Sequence, residues 1–378
     1  AEISTASSPA PDAQRSTPER QESLVIQTSF LGDAVLTTPL ISELAMRGPV
    51  DVVATPGAAK VLENNPSIRN LFVYDKRGAH TGLAGLWRLA QLLRGRRSAL
   101  TPMTGEAPAP GAPKHTGRRA RRIAYLAQGS VRSATLAVLG GYRERIGFST
   151  SAGRSLYTKR VAYREDRHHA ERLWSLAFPL EDVRPPAGAL QPRLYPSESD
   201  ENAVDALLEA SAIGTPFIVL APGSVWGTKR WPYYAELARA LTVRWPIAIV
   251  GSAEDAEAAR AIVDAAGMER TLDAVGKLSL LGSAELIGRS ALIVTNDSSP
   301  QHLASAIGTP TITMFGPTVP EFGFGPLAPR SMTIGHEGLD CRPCDHHGPQ
   351  RCPLGHWRCM RELGVERVLA SIDAVITH

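Results

Sequence analysis

"SLVIQTSFLGDAVLTTP", residues Ser23 to Pro39, passes from a short, unbroken apolar run to a helix-like one across a glycine and an acid. The first part reads as a buried strand and the second, from about Asp33 to Met46, as a helix. A strand leading directly into a helix opens a βαβ unit, and such units build parallel sheets covered on both faces. Gly32 is expected to let the backbone turn tightly. Asp33 then either caps the helix or acts as a base at the carboxyl end of the strand, where open α/β sheets bind ligands. These residues alone leave both roles open.

The same alternation runs outward along the chain. "VDVVAT" is followed by "GAAKVLENN", "NLFVYD" by "AGLWRLAQLLRG", and "RRIAYLAQ" by "VRSATLAVLGG" and "ERIGF". A proline-rich stretch, "RPPAGALQPRLYPSES", precedes a second series: "FIVLAPG", "YYAELARALTVRW", "IAIVGS", "AEDAEAARAIVDAAG", "ALIVTND", "QHLASAIG" and "TPTITMFGP", closed by the helical "VERVLASIDAVIT". The second half repeats the architecture of the first. The expected fold class is therefore α/β, with two Rossmann-like, doubly wound parallel-sheet domains facing across a cleft. Residues 1–22 read as a disordered polar tail, 23–190 as the N-terminal domain and 191–378 as the C-terminal domain. A basic, Pro/Gly-rich insertion falls at about 100–120.

A chain of 378 residues with a formal charge of +4 does not suggest a dedicated nucleic-acid binder. No run approaches the roughly 18 apolar residues of a membrane span. The N-terminal stretch lacks the apolar centre of a secretory signal, so a cytoplasmic location is expected. The four cysteines, Cys341, Cys344, Cys352 and Cys359, fall in "CRPCDHHGPQRCPLGHWRCM" with His346, His347 and His356 among them. A structural zinc, free thiols or a labile disulfide all fit that spacing.

Two strand ends in the second half are suited to anions. In "APGSVWGTKRWP" the backbone N–H groups, Ser224 and Thr228 can face a phosphate while Lys229 supplies a point charge. In "TNDSSPQHLASAIGTP" Asn296, Asp297, Ser298 and Ser299 stand where a strand gives way to a helix, with His302 one turn further on. A solvated turn and a core histidine are the bland alternatives. Two such ends in one domain point to a nucleotide diphosphate. The chain has no G-x-G-x-x-G, no G-x-x-x-x-G-K-[ST] and no Asp-x-Asp. A nicotinamide or flavin enzyme, a P-loop nucleotidase and a chelated catalytic metal are thereby disfavoured. No catalytic metal and no cofactor are expected.

"SFLGDAVLTTP", "APGSVWGTKRWP", "TNDSSPQHLASAIGTPTITMFGPT" and "CPLGHWRCM", in this order, resemble the bacterial lipopolysaccharide heptosyltransferases of glycosyltransferase family nine, over nearly everything from Ser23 onward. The resemblance implies a GT-B fold and inverting transfer, without a metal, from ADP-L-glycero-D-manno-heptose to a lipid A–core acceptor. It implies Asp33 as catalytic base and Lys229 as partner of the leaving diphosphate, with Ser224 and Thr228 as further phosphate contacts. Asp297, Ser298, Ser299 and His302 match the second donor motif, and Leu278 falls where an apolar side chain packs on adenine. Glu254 or Asp255 lies near the expected ribose. Ser299 and Gln301 depart from the glycine and methionine common in the family.

For an anionic lipid saccharide, Gln128, Ser130 and Arg132 at one strand end, and His169 and Arg172 one helical turn apart, are candidate acceptor contacts. The basic run of Arg94, Arg96, Arg97, Lys114, Arg118, Arg119, Arg121 and Arg122 is opposed locally only by Glu106. It is a candidate for peripheral contact with the anionic inner-membrane surface, or a solvated loop. A related transferase using another nucleotide sugar, a non-catalytic nucleotide-sugar sensor on the same fold and, remotely, a nucleic-acid binder built on the cysteines and the basic loop are the competing readings.

Overall fold

The computed structural model describes residues 21–95, 120–211 and 213–377. The first half forms β1 (Gln21–Gln27), β2 (Val50–Ala54), β3 (Asn70–Val73), β4 (Arg121–Leu126), β5 (Glu144–Phe148) and β6 (Lys159–Val161), in the sheet order β3-β2-β1-β4-β5-β6. The second half forms β7 (Ile218–Ala221), β8 (Ile247–Ile249), β9 (Thr271–Asp273), β10 (Leu292–Asn296), β11 (Thr311–Phe315) and β12 (Ser331–Gly335), in the order β12-β11-β10-β7-β8-β9. Every pairing is parallel. In each half the chain winds outward one way from its first strand and then the other, so strand order reverses beside β1 and beside β7. This is the doubly wound arrangement expected twice over, and it creates a crevice at each reversal.

The central strands are apolar because neither face meets water. Leu24, Val25 and Ile26 of β1 are fully buried, with Val25 in register between Val52 and Tyr125. The helix Leu31–Ala45 buries ten residues, more than one amphipathic stripe accounts for. It has neighbours from both halves: its own sheet, the helix His169–Ser175 and the helix Ser299–Ile307 of the second half. The turn carrying Asp33 is thereby pressed against the other lobe.

Some details differ from the sequence reading. β1 begins at Gln21, two residues inside the expected tail, because Gln21 and Glu22 pair with Arg121 and Arg122 of β4. The rest of that tail and most of the expected insertion lie outside the described residues. A helix over Glu198–Ala210 follows the proline-rich stretch. Ser197 caps it with Asp200, but only Val204 is buried, so it shows little periodicity in the sequence. Among the described residues no helix is long and apolar enough to cross a membrane.

Candidate active site

A cleft of about 880 Å³ lies between the halves. Phe30, Gly32 and Asp33 line it from the turn after β1 and Lys60 from the helix Pro56–Leu62, while Ser224 and Lys229 line it from the loop after β7. The acid and the lysine singled out from the sequence thus border the same space from opposite lobes.

Asp33 does the capping work and still faces the cleft. The helix begins at Leu31, which puts Asp33 at its third position, and Oδ2 accepts the Phe30 N–H at 3.2 Å. Oδ1 lies 3.2 Å from His169 Nε2, with the Asp33 side chain still 15% exposed. Burial raises the carboxyl's pKa. The His169 hydrogen bond and charge, the Ser29 hydroxyl and the charge of His302 outweigh it and hold the group below the usual aspartate value. Gly32 is not at a positive φ. Its lack of a side chain matters for another reason: a Cβ there would lie 2.5 Å from His302 Cδ2. The expectation of a glycine needed for a tight turn is replaced by one of close approach between lobes.

Lys229 is buried, with Nζ donating to Asp297 Oδ2 at 2.6 Å. The Thr318 hydroxyl also donates to Oδ2, at 2.6 Å, and Gln301 Nε2 donates to Oδ1 at 2.9 Å. Asp297 is therefore an anchor for the ammonium, and an ionised carboxylate so placed is a poor direct partner for a phosphate. Thr318, in the sequence "FGPT", was not singled out beforehand; its position just after β11, another strand end on the same crevice, was the available signal.

Ser224, Ser298, Ser299, His302 and Leu278 all line the cleft. Ser298 donates to Gly223 O at 3.2 Å, joining the two strand-end loops. His302 is buried, and burial pushes its pKa down to about 4. Asp255 is occupied as a cap, its Oδ2 accepting the Ser252 N–H at 2.9 Å, whereas Glu254 is exposed on the cleft wall. Thr228 does not line the cleft. Its hydroxyl donates to Pro349 O, a partner from the cysteine-bearing loop that no local pattern reveals.

That loop clamps the turn that carries Ser224 and Lys229. Gly227 N–H donates to Gln350 Oε1 at 3.1 Å, Gln350 Nε2 to Val225 O at 2.9 Å and Trp357 Nε1 to Thr228 O at 3.3 Å. His347 stacks on Trp226 (ring centroids 6.0 Å) and meets Phe30 of the other lobe edge-on (5.6 Å). All four cysteines are free thiols, and among the described residues no three of His, Cys, Asp and Glu gather as metal ligands.

The expected acceptor contacts separate. Arg172 is buried, with Nε donating to Arg164 O, NH1 to the Tyr163 hydroxyl and NH2 to Glu165 O. This corrects the sequence reading: a guanidinium already tied to three internal acceptors does not face a substrate. His169 is on Asp33. Gln128 Oε1 accepts from Ser133 Oγ (2.8 Å) and Ser130 N–H (3.2 Å), and the Ser130 hydroxyl caps its helix. These are scaffold contacts. Arg132 is exposed, and its charge reaches Tyr74 and Lys76. In the basic run, Arg121 meets Glu144 at 2.5 Å and Arg122 meets Glu22 at 3.6 Å, acids that only sheet pairing brings near. Arg94 lies over the Trp87 ring. The remaining five cations are outside the described residues.

Comparison with known proteins agrees with this geometry. The chain is 29% identical to lipopolysaccharide heptosyltransferase 1 of Pseudomonas aeruginosa, over 85% of each chain. Its fold is similar to a family 9 glycosyl transferase of Veillonella parvula, with a TM-score of 0.77 at 21% identity, covering 95% of this chain and 98% of that one. It is also similar to the E. coli ADP-heptose LPS heptosyltransferase II, with a TM-score of 0.73 at 24% identity, covering 94% and 99%. Both neighbours share the GT-B type of architecture, paired parallel sheets across a cleft. The model of glycosyltransferase family 9 (heptosyltransferase) matches residues 115–356, and the chain belongs to that family and is a glycosyltransferase.

Proposed function

We propose that the protein is an inverting, metal-independent heptosyltransferase that moves heptose from ADP-L-glycero-D-manno-heptose to the lipid A–core of lipopolysaccharide. The observation that carries this reading is the pairing of Asp33 and Lys229 on opposite walls of one cleft in a member of this family. The first lobe would bind the acceptor and the second the donor.

In this mechanism an acceptor hydroxyl attacks the anomeric carbon from the face opposite ADP. The new glycosidic C–O bond forms as the bond to the diphosphate oxygen breaks. Asp33 takes the hydroxyl proton. Its carboxyl is a weak base, which suffices because an oxocarbenium-like transition state needs deprotonation only late. Charge building on the departing diphosphate meets the Lys229 ammonium, which keeps N–H groups beyond the one directed at Asp297, and the amides opening the helix Ser299–Ile307. Ser224, Ser298 and Ser299 would contact the phosphates, with Leu278 against the adenine.

On the acceptor side, Arg132 and Lys76 lie together at the carboxyl edge of the first sheet, and Lys76 Nζ is within 3.1 Å of Thr28 O. They would hold anionic groups of the saccharide. The surrounding lobe would rest against the cytoplasmic face of the inner membrane, through cations of the basic run that are not tied to Glu22 or Glu144.

The test is a donor screen with purified protein and a truncated lipid acceptor, reading product and its anomeric configuration. ADP-heptose is expected to outperform other nucleotide sugars, with inverted product. Preference for another nucleotide sugar would replace the donor assignment, and retained configuration would overturn the mechanism. ADP-heptose binding with no transfer to any acceptor would favour a sensor.

A further inference from the structure

His169 is tied to the base and to the opposite lobe at once. Its Nε2 is 3.2 Å from Asp33 Oδ1, so the ring proton at Nε2 points at the carboxylate. Its other ring nitrogen, Nδ1, is buried with no hydrogen-bond partner among the described residues. The ring stacks on Phe324 at a centroid distance of 4.7 Å, and its backbone N–H donates to Gly323 O at 2.7 Å. His168 adds a third tie, Nε2 to Gly325 O at 3.0 Å, while its Nδ1 accepts the Ala170 N–H. Phe324 itself lines the cleft, but His169 does not. The helix His169–Ser175 is thus seated on the Gly323–Gly325 segment of the donor lobe and presents one imidazole to Asp33.

We infer that His169 is a positioning residue for the reaction: from behind the cleft wall it orients the Asp33 carboxylate, and the donor-lobe segment at Phe324 holds it in place. This rests on the reading of Asp33 as base. The Phe30 N–H and the Ser29 hydroxyl hold the carboxylate from its own turn, and His169 holds Oδ1 from the neighbouring helix, so His169 is the donor that lies outside that turn. Without His169 the carboxylate is held from the Ser29–Phe30 turn alone, and a base tilted toward that turn loses its near-attack geometry. The other charged group that acts on Asp33 is His302 from the helix Ser299–Ile307, while Lys60, Glu63 and the Lys229–Asp297 pair line the same cleft. None of these replaces a hydrogen bond to Oδ1.

The experiment compares His169→Phe and His169→Gln with the parent enzyme and Asp33→Asn. Steady-state kinetics over pH and ADP titration are the readouts. Phenylalanine keeps the stack on Phe324 and removes the donor; the glutamine amide restores a donor near the Nε2 position. The Phe variant is expected to lose about ten- to hundred-fold in kcat. Its acidic limb should move up by about one pH unit, since a carboxylate that loses a donor is protonated more readily. ADP affinity should stay within about two-fold, and Gln should recover most of kcat and return the limb. An unchanged kcat and limb in the Phe variant would overturn the inference, as would equal loss in both variants with an unmoved limb. If Asp33→Asn itself turns over normally, the base assignment fails instead; an inactive Asp33→Asn beside a normal His169→Phe refutes only the positioning role.

Discussion

Lys229 Nζ is held 2.6 Å from Asp297 Oδ2 in a buried pair at the wall of the inter-lobe cleft, and the carboxylate has two further donors, Thr318 and Gln301, whereas among the described residues the ammonium's side-chain partner is that carboxylate. The asymmetry makes the two partners unequal to mutation. Lys229→Ala leaves Asp297 hydrogen-bonded and should fold, while kcat/KM for the nucleotide sugar falls by about a hundred-fold as the leaving group loses its cation. Asp297→Ala strands a buried ammonium and should cost about 3–5 kcal/mol, measurable by urea denaturation. Comparable destabilisation by the two changes would contradict this account of the pair.

Gly32→Ala tests the close approach of the lobes. The added Cβ would sit 2.5 Å from His302 Cδ2, and both residues are buried. Overpacking of this kind costs about 1–3 kcal/mol. The variant should melt earlier and transfer sugar more slowly, with the deficit partly relieved in Gly32→Ala combined with His302→Ala. An unaltered melting temperature in the single variant would show that the lobes do not meet there as described.

His168 and His302 set a pH dependence of stability. Burial pushes both down to about 4, while the unfolded chain protonates them near 6.5. Between those values the unfolded state binds more protons, so stability is full above about pH 6.5 and falls as the pH drops toward 4. Urea midpoints measured across that window should decline, and less so in His302→Gln. A flat profile would contradict the burial argument.

The cysteine-bearing loop should act through the donor. Gln350→Ala removes two hydrogen bonds to the turn carrying Lys229, each contributing about 0.5–1.5 kcal/mol. The donor KM is expected to rise about three- to ten-fold, with a smaller change in kcat and the acidic limb unmoved. Loss of kcat with KM intact would assign the loop a different role.

What was legible in the sequence follows from the range of the interactions. β1 and its helix, and the strand-end loops at Ser224 and Asp297, declare themselves because apolar period, glycine and capping residues are local signals. Asp33 and Lys229 stand out for the same reason: each lies in the segment that follows a strand whose carboxyl end opens on the crevice. The contacts that decide between roles are not local. Arg172 looks like a free cation beside His169 until Arg164 O, Tyr163 and Glu165 O close on it. Thr228 looks like a phosphate contact until Pro349 takes its hydroxyl. The helix Glu198–Ala210 escaped notice because its single buried residue, Val204, leaves almost no pattern. His169 reads from the sequence as a candidate acceptor contact, because nothing in "RHHAERLW" indicates that Asp33 will lie opposite it.

The central claim is that Asp33 is the base, and Asp33→Asn tests it most directly, with transfer rate and ADP affinity measured on the same preparation. The amide keeps an oxygen for the Phe30 N–H and the side chain's shape, so folding and ADP affinity should stay near parental values while turnover falls by about 10²–10⁴-fold. Turnover close to that of the parent enzyme, with ADP bound normally, would contradict the account.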